Sequence, residues 1–481
     1  MSRLPGTPRI RRTLALLGAL AGTACRPQTP AQRLVREFSG AYPTDAHPTG
    51  QVRSFELVAA ETELPLLDGD RLRVWAYNGQ VPGPTLRVRL GDTVRVHFVN
   101  RLPQPTTIHW HGVRVPNAMD GVPGLTQPAV QPGQSFDYQF TPKDAGTFWF
   151  HPHVRSSEQV ERGLYGVLIV DDAQPAPYSQ DLLWVLDDWL LDEHRQIFPE
   201  FNTRHDLAHD GRWGSVITVN GRTSTRLALR AGERVRLRIL DTANGRIFKP
   251  DFGALAVQII AVDGLYLRQP IPYTGFEIAP GNRLDLDITA PSASSGAFTV
   301  TDRFYPPMPH DLATIVIDDI VPAAPAFPSP AHAHVPVWRE GLAVPVTKQF
   351  RLNARQGGEY GIEWTINDQA FHHHDGAMDM GHAMPPPALT MRRGAFQHLQ
   401  FVNDSYRLHP IHLHGMFFRL LARNGVPVDE PFFRDTVLVH SRETVDIGLV
   451  PEDAGLWMMH CHILEHAEAG MMTTIEVQGS I

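Results

Sequence analysis

One short pattern occurs three times in this chain and restricts it to a repeated β architecture. Asn78-Gly79-Gln80 leads to Leu86-Arg-Val-Arg89, then Gly91-Asp92 and Val94-Arg-Val96. Asn220-Gly221-Arg222 leads to Leu227-Ala-Leu-Arg230, then Gly232-Glu233 and Val235-Arg-Leu237. Asn367-Asp368-Gln369 leads, after an insertion, to Leu389-Thr-Met-Arg392, then Gly394 and Leu399-Gln-Phe401. The closing segments echo as well, Asp144-Ala-Gly-Thr-Phe-Trp-Phe-His151 against Asp453-Ala-Gly-Leu-Trp-Met-Met-His460. Short apolar/polar alternation between Gly, Pro and Asn turns is the mark of half-buried strands. A period of roughly 145 residues is too long for a solenoid repeat and implies three sandwich domains. The expected fold is all-β, three consecutive Greek-key β-sandwiches over residues 50–173, 178–320 and 335–481, with linkers near Gln174–Ser179 and Val321–Val337.

Composition excludes several partners. With 43 Lys and Arg against 51 Asp and Glu, the net charge is −8 and no basic stripe appears, so nucleic acid is not an expected partner. Arg9, Arg11 and Arg12 precede an apolar stretch from Leu14 to Ala24, which reads as an export signal over residues 1–25. That stretch is too short for a permanent membrane helix, so the mature chain is expected to have no transmembrane anchor. Arg11-Arg12 is compatible with the twin-arginine route. Lipid anchoring at Cys25 is allowed but not favoured, because Gly22 replaces the usual large aliphatic residue. The destination is therefore periplasmic or secreted. Without the signal, Cys461 is the sole cysteine, which rules out an intramolecular disulfide and points to a metal ligand.

Four His-X-His pairs carry the chemistry: His109/His111, His151/His153, His412/His414 and His460/His462. In a strand, residues two apart share a face and the intervening residue faces the other way. Each pair can aim two imidazoles at one place, while Cys461 faces a second centre. A lone strand histidine is usually a hydrogen-bonded core residue, but eight in four such pairs are not. Imidazole alone suits copper, zinc, iron or nickel, and a zinc hydrolase is one reading. A thiolate with imidazoles and a thioether selects blue copper, and Cys461, His466 and Met471 supply that set, with His409 available to complete it. The pairs lie only in the first and third repeats. The middle repeat offers Phe248-Lys-Pro-Asp251 at the matching point and looks like a spacer.

These motifs resemble those of the multicopper oxidases, specifically the three-domain bacterial laccase-like branch, from about residue 50 to 481. The matching segments are His109-Trp-His-Gly112, His151-Pro-His153, His409-Pro-Ile-His-Leu-His-Gly415 and His460-Cys-His-Ile-Leu-Glu-His466, followed by Gly470-Met471. The resemblance implies cupredoxin-like domains and four copper ions. The type 1 copper would take His409, Cys461, His466 and axial Met471. The type 2 copper would take His109 and His412. One type 3 copper would take His111, His151 and His462, and its partner His153, His414 and His460. Asp120 matches a family carboxylate that assists proton delivery to oxygen. Glu468 is the expected second acid, because Ala467 occupies the position where some bacterial relatives carry glutamate. The implied activity couples one-electron oxidation of a phenol, an aromatic amine or Cu(I) to four-electron reduction of dioxygen to water, in a monomer.

The segment from Phe371 to Met384 adds His372, His373, His374, His382, Met378, Met380 and Met384. Soft thioethers suit Cu(I), which tilts the substrate expectation toward metal oxidation. A solvated loop that binds adventitious metal is the plain alternative, and His332 and His334 in the linker read as incidental. Two other classes compete: a passive exported copper-binding or copper-tolerance protein, and a copper-free structural homologue. A two-domain copper nitrite reductase is disfavoured because its blue-copper ligands would lie in the first domain.

Overall fold

The computed structural model describes residues 1, 29–39, 47–172, 176, 178–292, 296–320, 338–371 and 385–479. Residues 2–25 of the expected export signal, with Cys25, the histidine–methionine residues 372–384 and linker residues 321–337 lie outside the described residues. Six sheets form three pairs along the chain. The first pair joins Val52–Leu66, Asp70–Tyr77, Thr93–Asn100 and Ser135–Phe140 in one sheet, and Thr85–Arg89, His109–His111, Gly146–His151 and Gly166–Asp171 in the other. The second pair has six and four strands, the third six and five. Each pair encloses its own apolar core, around Trp110 and Phe150, around Leu237 and Leu286, and around Ile411 and Trp457.

The repeated pattern has a common physical cause. Asn78, Asn220 and Asn367 all take positive φ (53°, 54°, 52°), and so do Gly79, Gly221 and Asp368 after them. Two consecutive left-handed residues make the tight turn whose twist suits a hairpin. Each Asn also reaches across: its Oδ1 accepts from the N–H of Val58, Val185 or Arg351, at 2.7, 2.8 and 2.8 Å. Asp368 stands where the other repeats have glycine, and Asp tolerates this conformation better than most residues. The expected alternation is present: Thr85–Arg89 buries Leu86 and Val88 while its other side chains face solvent.

In every repeat the opening strand pairs in parallel with a later one, Val52 with Thr93, Gln180 with Val235 and Lys348 with Leu399. Parallel neighbours need a crossover rather than a hairpin, and this crossover carries the chain from one sheet to the other. Helices among the described residues are short. The helix Pro30–Ser39 packs Leu34 and Phe38 into the first core, with Phe38 against Phe396 and Phe433 of the third repeat. No helix among the described residues is long and apolar enough to cross a membrane.

Candidate metal centre

Antiparallel pairing sets histidine opposite histidine within the first repeat and again within the third. His109 is in register with His151, and His412 with His460, while Ile411 faces Cys461. Only His109–His111 lies wholly within a strand; His153, His414 and His462 fall just past strand ends. Backbone hydrogen bonds hold two of these in place, from His414 N–H to the Met458 carbonyl (3.0 Å) and from His462 N–H to the Pro410 carbonyl. Strand alternation therefore accounts for part of the arrangement, and the loop bonds complete it.

All eight histidines are buried and converge. Ring atoms of His111, His151 and His462 come together, as do those of His153, His414 and His460, and those of His109, His111 and His412. Rings from the two repeats stack: His109 on His414 at 3.8 Å and His111 on His412 at 3.7 Å. A separate group collects His409, Cys461 and His466.

Hydrogen bonding fixes which nitrogen of each ring faces inward. His109 Nδ1–H donates to the Asp120 carbonyl (2.7 Å), His151 Nδ1–H to the Pro152 carbonyl (3.0 Å) and His412 Nδ1–H to the Asp435 carbonyl (3.0 Å). The Nε2 atoms of these three rings are buried without a hydrogen-bond partner. His414 Nδ1–H donates to Asp120 Oδ2 (2.8 Å) and His460 Nδ1–H to the Cys461 carbonyl (2.8 Å). Their Nε2 lone pairs then meet at 3.1 Å, a contact that is favourable only with a cation between them. Orientation of a ligand ring through its second nitrogen is the usual outer support of a metal site.

The second group repeats this logic. His466 Nε2–H donates to the His209 carbonyl (2.7 Å). The Ser405 hydroxyl donates to Asn403 Oδ1 (2.7 Å), so its oxygen accepts from His409 Nε2–H (2.9 Å). Two Nδ1 lone pairs face each other at 3.2 Å, with Cys461 Sγ at 3.7 and 3.9 Å from them. Met471 is wholly buried in the same core, its N–H bonded to the His466 carbonyl (2.9 Å) and its carbonyl to the Cys461 N–H (3.0 Å). Trp364 covers both rings, 4.1 Å from His466 and 5.0 Å from His409.

Electrostatics favour ligand-competent forms. Desolvation, then neighbouring imidazoles, push His111, His151, His153, His409 and His460 well below the usual histidine range. Burial likewise lowers His414 and His466 to about 3. Neutral imidazole is the form that binds metal. Burial, with smaller contributions from Asp210 and Glu465, pushes the Cys461 thiol up, and a cation at the site reverses that, because a coordinating thiol is deprotonated outright. Burial also opposes ionisation of Asp120, yet His414 and His109 hold it well below the usual carboxylate range. Lone pairs aimed at one another, neutral rings and a buried thiol fit a soft, nitrogen- and sulfur-loving cation such as copper.

Family models described as multicopper oxidase match residues 59–175, 180–316 and 331–480. A crystal structure of a multicopper oxidase from Pseudomonas thermotolerans is 34% identical, covers 89% of this chain and 99% of its own, and superposes with a TM-score of 0.77. The chain belongs to the multicopper oxidases. Lac15 from a marine microbial metagenome is 31% identical over 88% of this chain and 100% of its own, with a TM-score of 0.69. Multicopper oxidase MmcO of Mycobacterium tuberculosis is 28% identical over 453 residues, 85% of this chain and 84% of its own. The fold is accordingly three cupredoxin-like domains, and the activity is that of a copper-dependent oxidase. Members of the family use oxygen and a reducing substrate, and the zinc hydrolase reading falls.

Sequence reasoning missed several supporting residues. Asp435 and Thr436 contact His111 and His412, Ser405 holds His409, and the middle repeat supplies His209, Gly281 and Arg283. That repeat adds the His209 carbonyl to the Cys461 group, and Gly281 and the Arg283 side chain to the surroundings of the histidine cluster. Within Phe248-Lys-Pro-Asp251, Pro250–Asp251 form a short edge strand, the place in the sheet that His109–His111 hold in the first repeat. No metal-ligand spacing marks any of these residues. Glu468 lines a void of about 20 Å³ with His151, His153, Arg155 and His460. That is room for about one water.

Proposed function

We propose that this enzyme holds four copper ions in the ligand sets expected from its motifs. His409, Cys461, His466 and Met471 would hold the type 1 ion, and His109 with His412 the type 2 ion. His111, His151 and His462, and His153, His414 and His460, would hold the type 3 pair. The carrying observation is that inward lone pairs converge in these same groups. Bound copper would supply one-electron acceptance at the Cys461 site and four-electron reduction of dioxygen to water at the histidine cluster.

The chain's own residues would support each part. Cys461 is one peptide bond from His460 and one from His462, and its carbonyl accepts from His460 Nδ1–H, a short tie between the two centres. A cavity of about 360 Å³, lined by Leu190, His205, His209, Asp210, Trp213 and Arg407, adjoins the His209 carbonyl that holds His466. We assign it to the reducing substrate, phenol, aromatic amine or Cu(I). Asp120 would orient His109 and His414, and its Oδ1, buried without a hydrogen-bond partner, would be free to accept a hydrogen bond from water on the proton path. Burial pushes Glu468 up to about 7, so near neutral pH it can hold or release a proton beside the void. The domain bounds, export through residues 1–25 and the monomeric state are part of the same reading.

Copper-loaded protein should be blue, carry a paramagnetic type 2 signal and consume oxygen with Cu(I), Fe(II) or a phenol. A blue protein that binds copper without oxygen uptake would be a passive copper binder, and a colourless one a copper-free homologue. Deleting residues 371–384 should lower cuprous oxidation far more than phenol oxidation; equal loss of both, or of neither, removes that segment from the substrate argument.

A further inference from the structure

The middle domain donates no ligand, yet one of its side chains reaches the histidine cluster. Arg283 opens the strand Arg283–Thr289 and is wholly buried. A guanidinium has five N–H donors, and here all five are used. Nε donates to the Thr147 carbonyl (3.2 Å) in the first domain. Nη1 donates to the Gly281 carbonyl (2.9 Å) and Asp435 Oδ1 (2.9 Å). Nη2 donates to the Asp263 carbonyl (2.8 Å) and Asp435 Oδ2 (2.6 Å). The forked grip on Asp435 is the geometry that fixes a carboxylate's plane as well as its place.

That plane matters because of what else Asp435 touches. Its Oδ1 lies 3.2 Å from His111 Nε2 and 3.4 Å from His412 Nδ1. Asp435 Oδ1 therefore holds the N–H of His111 on Nε2, and the Asp435 carbonyl (3.0 Å) holds that of His412 on Nδ1, which leaves His111 Nδ1 and His412 Nε2 buried and free. Asp263 secures the same turn from the middle domain, its Oδ2 accepting from the N–H groups of Asp435 (3.1 Å) and Thr436 (3.2 Å).

The glycines agree. A Cβ on Gly112, directly after His111, would collide with Arg283 Nη2 and with Asp435 Oδ2, and the chain turns there at φ +78°. A Cβ on Gly281 would meet the rings of His111 and His462 at 2.9 and 3.0 Å. Gly415, the corresponding residue after His414, instead leaves space for the Trp457 ring. Room for the guanidinium is thus specific to the first-domain motif.

We infer that Arg283 is a positioning residue for the histidine cluster, acting through Asp435 to set which nitrogens of His111 and His412 face the metal. The inference rests on the proposed copper reading of that cluster. The test is Arg283→Lys in the full chain, loaded with copper beside the wild type. Lysine keeps the charge but cannot grip both carboxylate oxygens while serving the three carbonyls. The variant should melt cooperatively and keep the blue band of the Cys461 site. Loss of outer support typically costs about 10–100-fold in metal affinity, so its cluster copper should yield to a competing chelator that much more readily, with an altered type 2 paramagnetic signal. Wild-type copper content, chelator resistance and type 2 signal in a folded variant would overturn the inference. If Arg283→Lys does not fold, Asp263→Asn applies the same readouts: loosened cluster copper supports the inference, and an unchanged signature overturns it. Failure of both variants to fold would make the pair a structural strut and also overturn it. A wild-type protein that takes up no cluster copper would sink the copper reading itself, a separate outcome.

Discussion

Met471 is placed by its neighbours on both sides. Its main chain is bonded to His466 and Cys461, and its side chain is buried with Trp364 and Ile411. The axial ligand of a blue-copper site is one of the groups that tune its potential. Met471→Leu should therefore raise the potential of the type 1 ion while keeping the blue colour, because leucine fills similar volume without a donor sulfur. A redox titration reads this directly, and an unchanged midpoint removes Met471 from the ligand set. At this scale the histidines and the cysteine that the structure gathers into groups were legible in the sequence, because identity and spacing are local properties. Asp435 was not: it serves His111 from 324 residues away, and Arg283 reaches it across 152. No local spacing records a bond of that kind.

Strands and turns follow the same division. The alternating runs and Asn turns announced the sheets, because period-two burial and left-handed φ are written in neighbouring residues. Strand ends were less visible, and three of the eight cluster histidines sit just beyond them. Gly415 shows what an element end requires. It has φ +68°, and a Cβ there would come within 2.5–2.7 Å of the Trp457 ring. Trp457 is fully buried and its indole N–H donates to the Asp453 carbonyl (3.1 Å), so it has little freedom to retreat. Gly415→Ala should cost about 1–3 kcal/mol by overpacking, before any backbone strain. Thermal melting of the copper-free protein should show the loss, and an unchanged midpoint would mean that the indole can shift.

Across the molecule, the domains are joined by ion pairs that titrate. Asp181 of the middle domain accepts from Arg238 Nε (2.6 Å) and Nη2 (3.0 Å), and from Arg87 Nη2 (2.6 Å) of the first domain. Burial opposes its ionisation, but Arg238, Arg236 and Arg87 together lower it to about 2. A carboxylate whose folded value is depressed adds stability above its unfolded value, and that stability is lost as the pH falls through the folded one. Asp181→Asn should thus destabilise the protein by about 2 kcal/mol at pH 6 and by little at pH 2. Denaturant titrations at the two pH values check this; an equal penalty at both would mean that the contribution is packing rather than charge.

The division of the cluster between outer domains also has a consequence in time. His109 and His462 are 353 positions apart. At about 5–20 residues per second, roughly 20–70 s of synthesis separate them. For most of that interval His109, His111, His151 and His153 are already made, and the stacking partners His412 and His414 are not. Metal arriving then would find four imidazoles without the third-domain histidines that complete each group.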